Sequence, residues 1–271
     1  MTRRRATREP GVTQRTIAQR IRASAAALGR NRFGRDLPGT GVVGAAGAPR
    51  SGRTATLVAG DFVSSYGMAQ IPLFPLGNAL FPAGVLHLRI FEVRYLDMIK
   101  RCLADGSEFG VVVLRKGSEV RLPDGVEEPA MIGTMARIDD WRATMPSLLE
   151  LVCRGTTKFQ LSSIEQGKYG LWTGEAHMLP DDVNVAIPDT LQTSADTLGK
   201  LIAGLQRDPA RAAKLLLAPP YRLDECGWVA DRWAELLPLP PHEKEALLGV
   251  FDPAARLARI QAFLTDHGVL S

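Results

Sequence analysis

Disulfide frameworks, metal sites and membrane spans all need sequence features that this chain has little of. Its 271 residues hold three cysteines, Cys102, Cys153 and Cys226, spaced 51 and 73 positions apart with no CxxC pair. An odd count at such spacing argues against a disulfide framework and for a reducing compartment. The four histidines, His87, His177, His242 and His267, never fall four apart on a helix or beside a cysteine at ligand spacing, so no metal site and no cofactor are expected. No apolar run approaches the roughly 18 residues that a membrane-spanning helix needs, and no secretory pattern precedes the body. No GxSxG elbow of a serine hydrolase is present either.

Charge is unevenly spread. The formal net charge is +4, yet residues 1 to 60 hold 12 arginines, no lysine and only Glu9 and Asp36 as acids. Those 60 residues are therefore +10, and the other 211, with 21 basic and 27 acidic side chains, are −6. A mildly acidic body gives no support to a nucleic-acid partner. Residues 1–67, rich in Arg, Ala, Gly, Thr and Ser, are expected to be disordered because they cannot bury enough apolar surface. Three readings of this leader compete: an organelle transit peptide, a phosphate-binding arm, and a start-site artefact with translation beginning at Met68. The last is preferred, and it makes the protein cytoplasmic; the first would place it in an organelle.

Two hydrophobic periods meet between Gln70 and Leu103. Val85 to Ile90 alternates, with Leu86, Leu88 and Ile90 in one phase and Val85, His87 and Arg89 in the other, as in a half-buried strand. From Phe91 onward the apolar positions Phe91, Tyr95, Met98 and Cys102 follow a helical stripe. Pro72 and Pro75 suit an edge or first strand, and Pro82-Ala83-Gly84 marks a turn. Strands are expected at Phe109 to Leu114, Met131 to Ile138, Ser147 to Arg154, Thr157 to Ile164 and Tyr169 to Met178, with turns at Asp124-Gly125, Gly155 and Gln166-Gly167. About six or seven short strands with one inserted helix suit a small, partly closed barrel. From Asp189 the chain reads as four or five helices, with Asp208-Pro209 and Asp252-Pro253 as start signals. The fold class is α+β, divided into a leader (1–67), a β-rich subdomain (68–182) and an α-helical bundle (183–271).

Several of these segments carry a family likeness. Ile71 to Leu76 (IPLFPL), Leu80-Phe81-Pro82 and Leu86 to Tyr95 (LHLRIFEVRY) resemble the opening of the amino-terminal substrate-binding domain of Lon proteases. Phe109 to Val112, Ile132 to Ile138 and Gly155 to Leu161 resemble its later strands, with Lys158 where the family more often has arginine. Val229-Ala230-Asp231-Arg232 and Leu236 to Leu239 resemble its helical half. The likeness runs from about Met68 to Leu264 and implies a PUA-like pseudo-barrel followed by a helical bundle. It implies recognition rather than proteolysis. The pairs Gly167-Lys168 and Gly199-Lys200 lack the rest of a phosphate-cradling loop, and the few residues after Leu264 leave no room for a peptidase.

The expected function is a non-enzymatic module that binds unfolded or misfolded polypeptides or a protein partner in an apolar groove. An adaptor that docks onto a protease, or a small-ligand receptor using the barrel pocket, is the alternative. The candidate substrate-binding residues are Phe91, Glu92, Arg94 and Tyr95 at the strand-to-helix junction. A structural reading competes, with Glu92 at the helix start, Arg94 reaching Asp97, Asp97 reaching Arg101, and a solvated charged face. Phe91 and Tyr95 are expected to anchor the helix to the sheet. Asp139-Asp140 and Asp181-Asp182 are read as solvated pairs, Cys102, Cys153 and Trp233 as core, and Trp141 as an exposed turn residue.

Overall fold

A computed structural model describes residues 68–117, 126–145, 147–207, 217 and 219–270. The expectations for residues 1–67, for Asp124-Gly125 and for Asp208-Pro209 lie outside the described residues. The strands are β1 (Met68–Leu76), β2 (Val85–Ile90), β3 (Phe109–Lys116), β4 (Glu128–Met145), β5 (Leu148–Gln166) and β6 (Trp172–Met178). The helices are α1 (Val93–Asp105), α2 (Gln192–Gln206), α3 (Cys226–Leu236), α4 (Pro241–Leu248) and α5 (Pro253–Asp266). This is the α+β class expected.

The six strands pair in the order β2-β5-β4-β3-β1-β6, and β6 returns to β5. Five strands thus form a closed circuit of pairings, and β2 hangs on β5 outside it. β1 and β3 run parallel, which requires a crossover, and α1 supplies it.

β1 is first in sequence but not an edge strand. It pairs with β6 over Met68 to Leu73 and with β3 over Leu73 to Leu76. Changing partner at Leu73 leaves each half one flank outside the ladder, and a proline is tolerated in such half-paired strands. Three of the expected short strands form two long ones, because β4 runs on through Asp139 to Met145 and Gly155-Thr156 joins Ser147 to Arg154 with Thr157 to Ile164 in β5. Gly155 is not a turn. A Cβ there would stand 2.2 Å from the Phe81 carbonyl oxygen. Ala83 N–H donates to Gly155 O at 2.8 Å, and Gly155 N–H donates to Gly84 O at 2.9 Å. The glycine lets the β1–β2 turn lie against β5.

Among the described residues three core clusters form, one of them among the strands around Leu73, Val112, Phe159 and Leu161. Under α1, Tyr95, Met98, Ile99 and Cys102 pack on Leu88, Ile90, Leu151 and Cys153. On the other side, Phe81, Val113 and Ile132 pack with Trp228, Trp233, Leu257 and Ile260 of the helices. Trp233 is buried and its indole donates to Ser194 O at 3.0 Å. All three thiols are free and buried, and burial pushes Cys153 up to about 12. They fill core rather than do chemistry. Asp252 accepts from Ala254 N–H at 2.9 Å with Pro253 next to it, the cap expected from the sequence.

Phe91 departs from expectation. α1 starts at Val93, and Phe91 is exposed. The alternation of β2 carries one residue past the strand: Leu88 and Ile90 point in, Arg89 and Phe91 point out. Of the two expected anchors only Tyr95 packs inward, its ring lying on Phe74 with centroids 4.1 Å apart.

Candidate functional site

The junction between β2 and α1 is organised by Arg94, which is 6% exposed. Its guanidinium donates from Nη2 to Glu127 Oε1 at 3.1 Å and from Nη1 to Glu127 Oε2 at 3.3 Å. It also donates from Nη1 to Gly170 O at 2.8 Å and from Nε to Glu92 Oε2 at 3.0 Å. Trp172 Nε1 donates to Glu127 Oε2 at 2.7 Å. The guanidinium lies 4.5 Å from the centre of the Tyr95 ring. A buried guanidinium with a two-pronged carboxylate partner is among the stronger polar contacts a protein makes. The solvated helix face expected at Arg94 is absent, because two segments distant in sequence, around Glu127 and Gly170, converge on this one side chain.

Glu92 occupies the helix-start position but makes no side-chain cap; its carboxylate goes to Arg94 instead. Arg101 donates to the backbone oxygen of Asp97 at 3.3 Å. Sequence reasoning missed Glu127, Gly170 and Trp172. Only the glycine next to an aromatic pair, Tyr169 and Trp172, hinted at them.

Around this knot lie four apolar side chains on the surface. Phe91 is 53% exposed, Val93 65%, Val126 66% and Tyr169 70%. Each is next in sequence to a residue of the knot: Glu92, Arg94, Glu127 and Gly170. Tyr169 holds the left-handed conformation at φ 62°, unusual for a bulky residue.

A second polar cluster joins the strands to the helices. Lys158 of β5 lies 2.7 Å from Asp182, whose other oxygen takes Arg256 of α5, and Arg256 lies 3.0 Å from Asp231 of α3. Nearby, Arg232 lies 3.0 Å from Glu235, Phe81 N–H donates to Glu235 at 3.3 Å, and Arg232 donates to Pro82 O at 2.8 Å. The Asp231–Arg256 and Arg232–Glu235 contacts are close but misaligned for hydrogen bonding. Burial therefore dominates, raising Asp231 to about 6 and Glu235 to about 7, while the arginines pull back only part. Raised carboxyl pKa values often flag catalysis. Here both groups are buried among cations and do not line the groove between the sheet and α4, so they read as structural.

Two other acids expected to be solvated are held. Asp182 has the partners just given, and Asp139 bridges Arg137 at 3.0 Å and Arg154 at 2.8 Å. Trp141 is exposed as expected, but on β4 rather than in a turn. A groove of about 560 Å³ lies between the sheet and α4, lined by Arg115, Ile132, Gln160, His242 and Glu245 among others. Bidentate pairing of Arg115 with Glu245 closes off its charge. Among the described residues no helix is long and apolar enough to cross a membrane, and no group of three or more potential ligands gathers to hold a metal.

Residues 70–266 match the family model of the ATP-dependent protease La (LON) substrate-binding domain. Among solved structures, the chain is similar to a Lon N-terminal domain protein from Xanthomonas campestris, with 31% identity and a TM-score of 0.57 over 72% of this chain and 98% of that one. It is also similar to the N-terminal domain of Mycobacterium avium complex Lon protease, with 17% identity and a TM-score of 0.48 over 74% of this chain and 98% of that one. No curated protein matches it. With the family model covering most of its length and the strand circuit and helices in place, the chain belongs to the Lon substrate-binding domain family.

Proposed function

We propose that this chain is a non-catalytic recognition module for unfolded or misfolded polypeptides, serving protein quality control. Its contact surface is the apolar patch of Phe91, Val93, Val126 and Tyr169. Glu92, Arg94 and Tyr95 hold that patch from beneath. The carrying observation is that four apolar side chains, each more than half exposed, adjoin one buried ionic knot. Exposed apolar surface rimmed by polar groups marks interaction sites, and the knot gives it a rigid base.

Reduced, carboxymethylated α-lactalbumin is a permanently unfolded probe. The full chain is expected to bind it and to ignore the native form. Phe91→Ser and Tyr169→Ser should each weaken binding by about tenfold, the worth of roughly 1.4 kcal/mol, without lowering the thermal midpoint. Absence of binding, or variants that bind like the parent, would count against this reading. Stoichiometric capture of one folded partner would favour an adaptor instead.

A further inference from the structure

We propose that Tyr169 is the anchor of the polypeptide-binding patch, a rigidly presented aromatic side chain that the fold keeps in place at a cost to its own stability. This rests on the polypeptide-binding reading above and assigns the residue that carries it.

β5 and β6 are joined through a tight turn that is closed from within. Gly167 N–H donates to Leu171 O at 2.8 Å, and Gly170 N–H donates to Gly167 O at 3.0 Å. Inside it, Tyr169 stands at φ 62°, ψ 12° and Gly170 at φ 78°. Gly170 adopts this conformation without strain, because glycine has no Cβ. At Tyr169 the Cβ crowds the backbone, and glycine, asparagine or aspartate is what such a turn position ordinarily carries.

Among the described residues one other non-glycine residue has a positive φ, Ala83 at 60°. The fold accounts for Ala83. Its N–H donates to Gly155 O at 2.8 Å, and its methyl group packs against the core shared with the helices. Tyr169 differs, because it is 70% exposed and its ring adds little to the packing that stabilises the chain. A large ring kept in a strained position for little gain in packing points to a contact made outside the chain.

The chain just beyond Tyr169 is held firmly. Gly170 O accepts from Arg94 Nη1 at 2.8 Å, and Trp172 Nε1 donates to Glu127 Oε2 at 2.7 Å. Arg94 and Glu127 are paired with each other, so one buried ion pair grips the chain at Gly170 and at Trp172. Fixing the turn before a client arrives reduces the ordering cost of binding. Tyrosine, with a broad face and two side-chain torsions, loses little entropy on contact and is common among residues that dominate interfaces.

The test compares the full chain with Tyr169→Asn and Tyr169→Phe, using reduced, carboxymethylated α-lactalbumin as the client. Asparagine tolerates the left-handed conformation, so Tyr169→Asn should raise the thermal midpoint by about 2 to 4 °C. The same variant should weaken binding by about tenfold or more. Tyr169→Phe keeps the ring and should match the parent in both measurements. A gain in stability joined to a loss of binding is an outcome that a merely structural ring would not give. A midpoint that falls in Tyr169→Asn would mean that the ring holds the fold, and it overturns the proposal. Binding by Tyr169→Asn equal to the parent's also overturns it. If Phe91→Ser still loses binding in that case, the broader reading survives. If the parent chain ignores the unfolded probe, both fall.

Discussion

Lys158 and Asp182 meet where the strand circuit gives way to the helices, with Nζ 2.7 Å from Oδ1 and Arg256 on the other carboxylate oxygen. One acid therefore ties β5 to α5. Burial works against the ionised carboxylate, but Arg256 and Lys158 outweigh it and hold the Asp182 pKa below its ordinary 3.8.

Asp182→Ala leaves two buried cations without this partner. Removing one member of a buried ion pair typically costs about 3 to 5 kcal/mol, so the denaturation midpoint should fall markedly. Because the folded pKa is depressed, the contribution of Asp182 is present above the ordinary value and lost as pH falls through the folded one. Acid titration of wild type against Asp182→Asn should show a difference that narrows at low pH.

Glu235 predicts the opposite slope on the neutral side. Burial raises its pKa from 4.5 to about 7, and Arg232 offsets only part. The folded chain therefore binds more protons than the unfolded chain between these values. Stability from this group is full below about 4.5 and lost as pH rises through about 7. Glu235→Gln should flatten that decline, by on the order of 2 kcal/mol between pH 5 and 8. Thermal midpoints of both proteins across this range provide the check.

Glu127→Ala should be far more damaging than Glu92→Ala. The first leaves Arg94 buried without its two-pronged partner and Trp172 Nε1 without an acceptor, and about 3 to 5 kcal/mol is expected. The second removes one contact from a partly exposed carboxylate, worth about 1 kcal/mol. Urea unfolding of the two variants would separate them. Equal losses would mean that the knot does not depend on Glu127.

Phe91→Ala should stay within about 0.5 kcal/mol of wild type, since its ring is exposed. Tyr95→Ala removes a buried ring that packs at a tilt on Phe74 and should cost about 3 to 5 kcal/mol. A large loss for Phe91→Ala would restore the anchoring role that helical spacing suggests.

Sequence alone determined what depends on near neighbours. The alternation of Leu88 and Ile90, the stripe of Tyr95, Met98 and Cys102, and the Asp252-Pro253 cap all stand as read, because period and capping act within a few residues. Tertiary structure decided the rest. Phe91 fits both the strand's period and the helix's, and only the position of the helix start shows which governs it. Gly155 reads locally as a turn and proves to be a strand residue cleared for the Phe81 carbonyl. Arg94 finds Glu127 at a separation of 33 residues and Gly170 at 76, and Asp182 finds Arg256 at 74. A buried ion pair exists only where folding removes both groups from water at the same point, and no local pattern of residues encodes that coincidence.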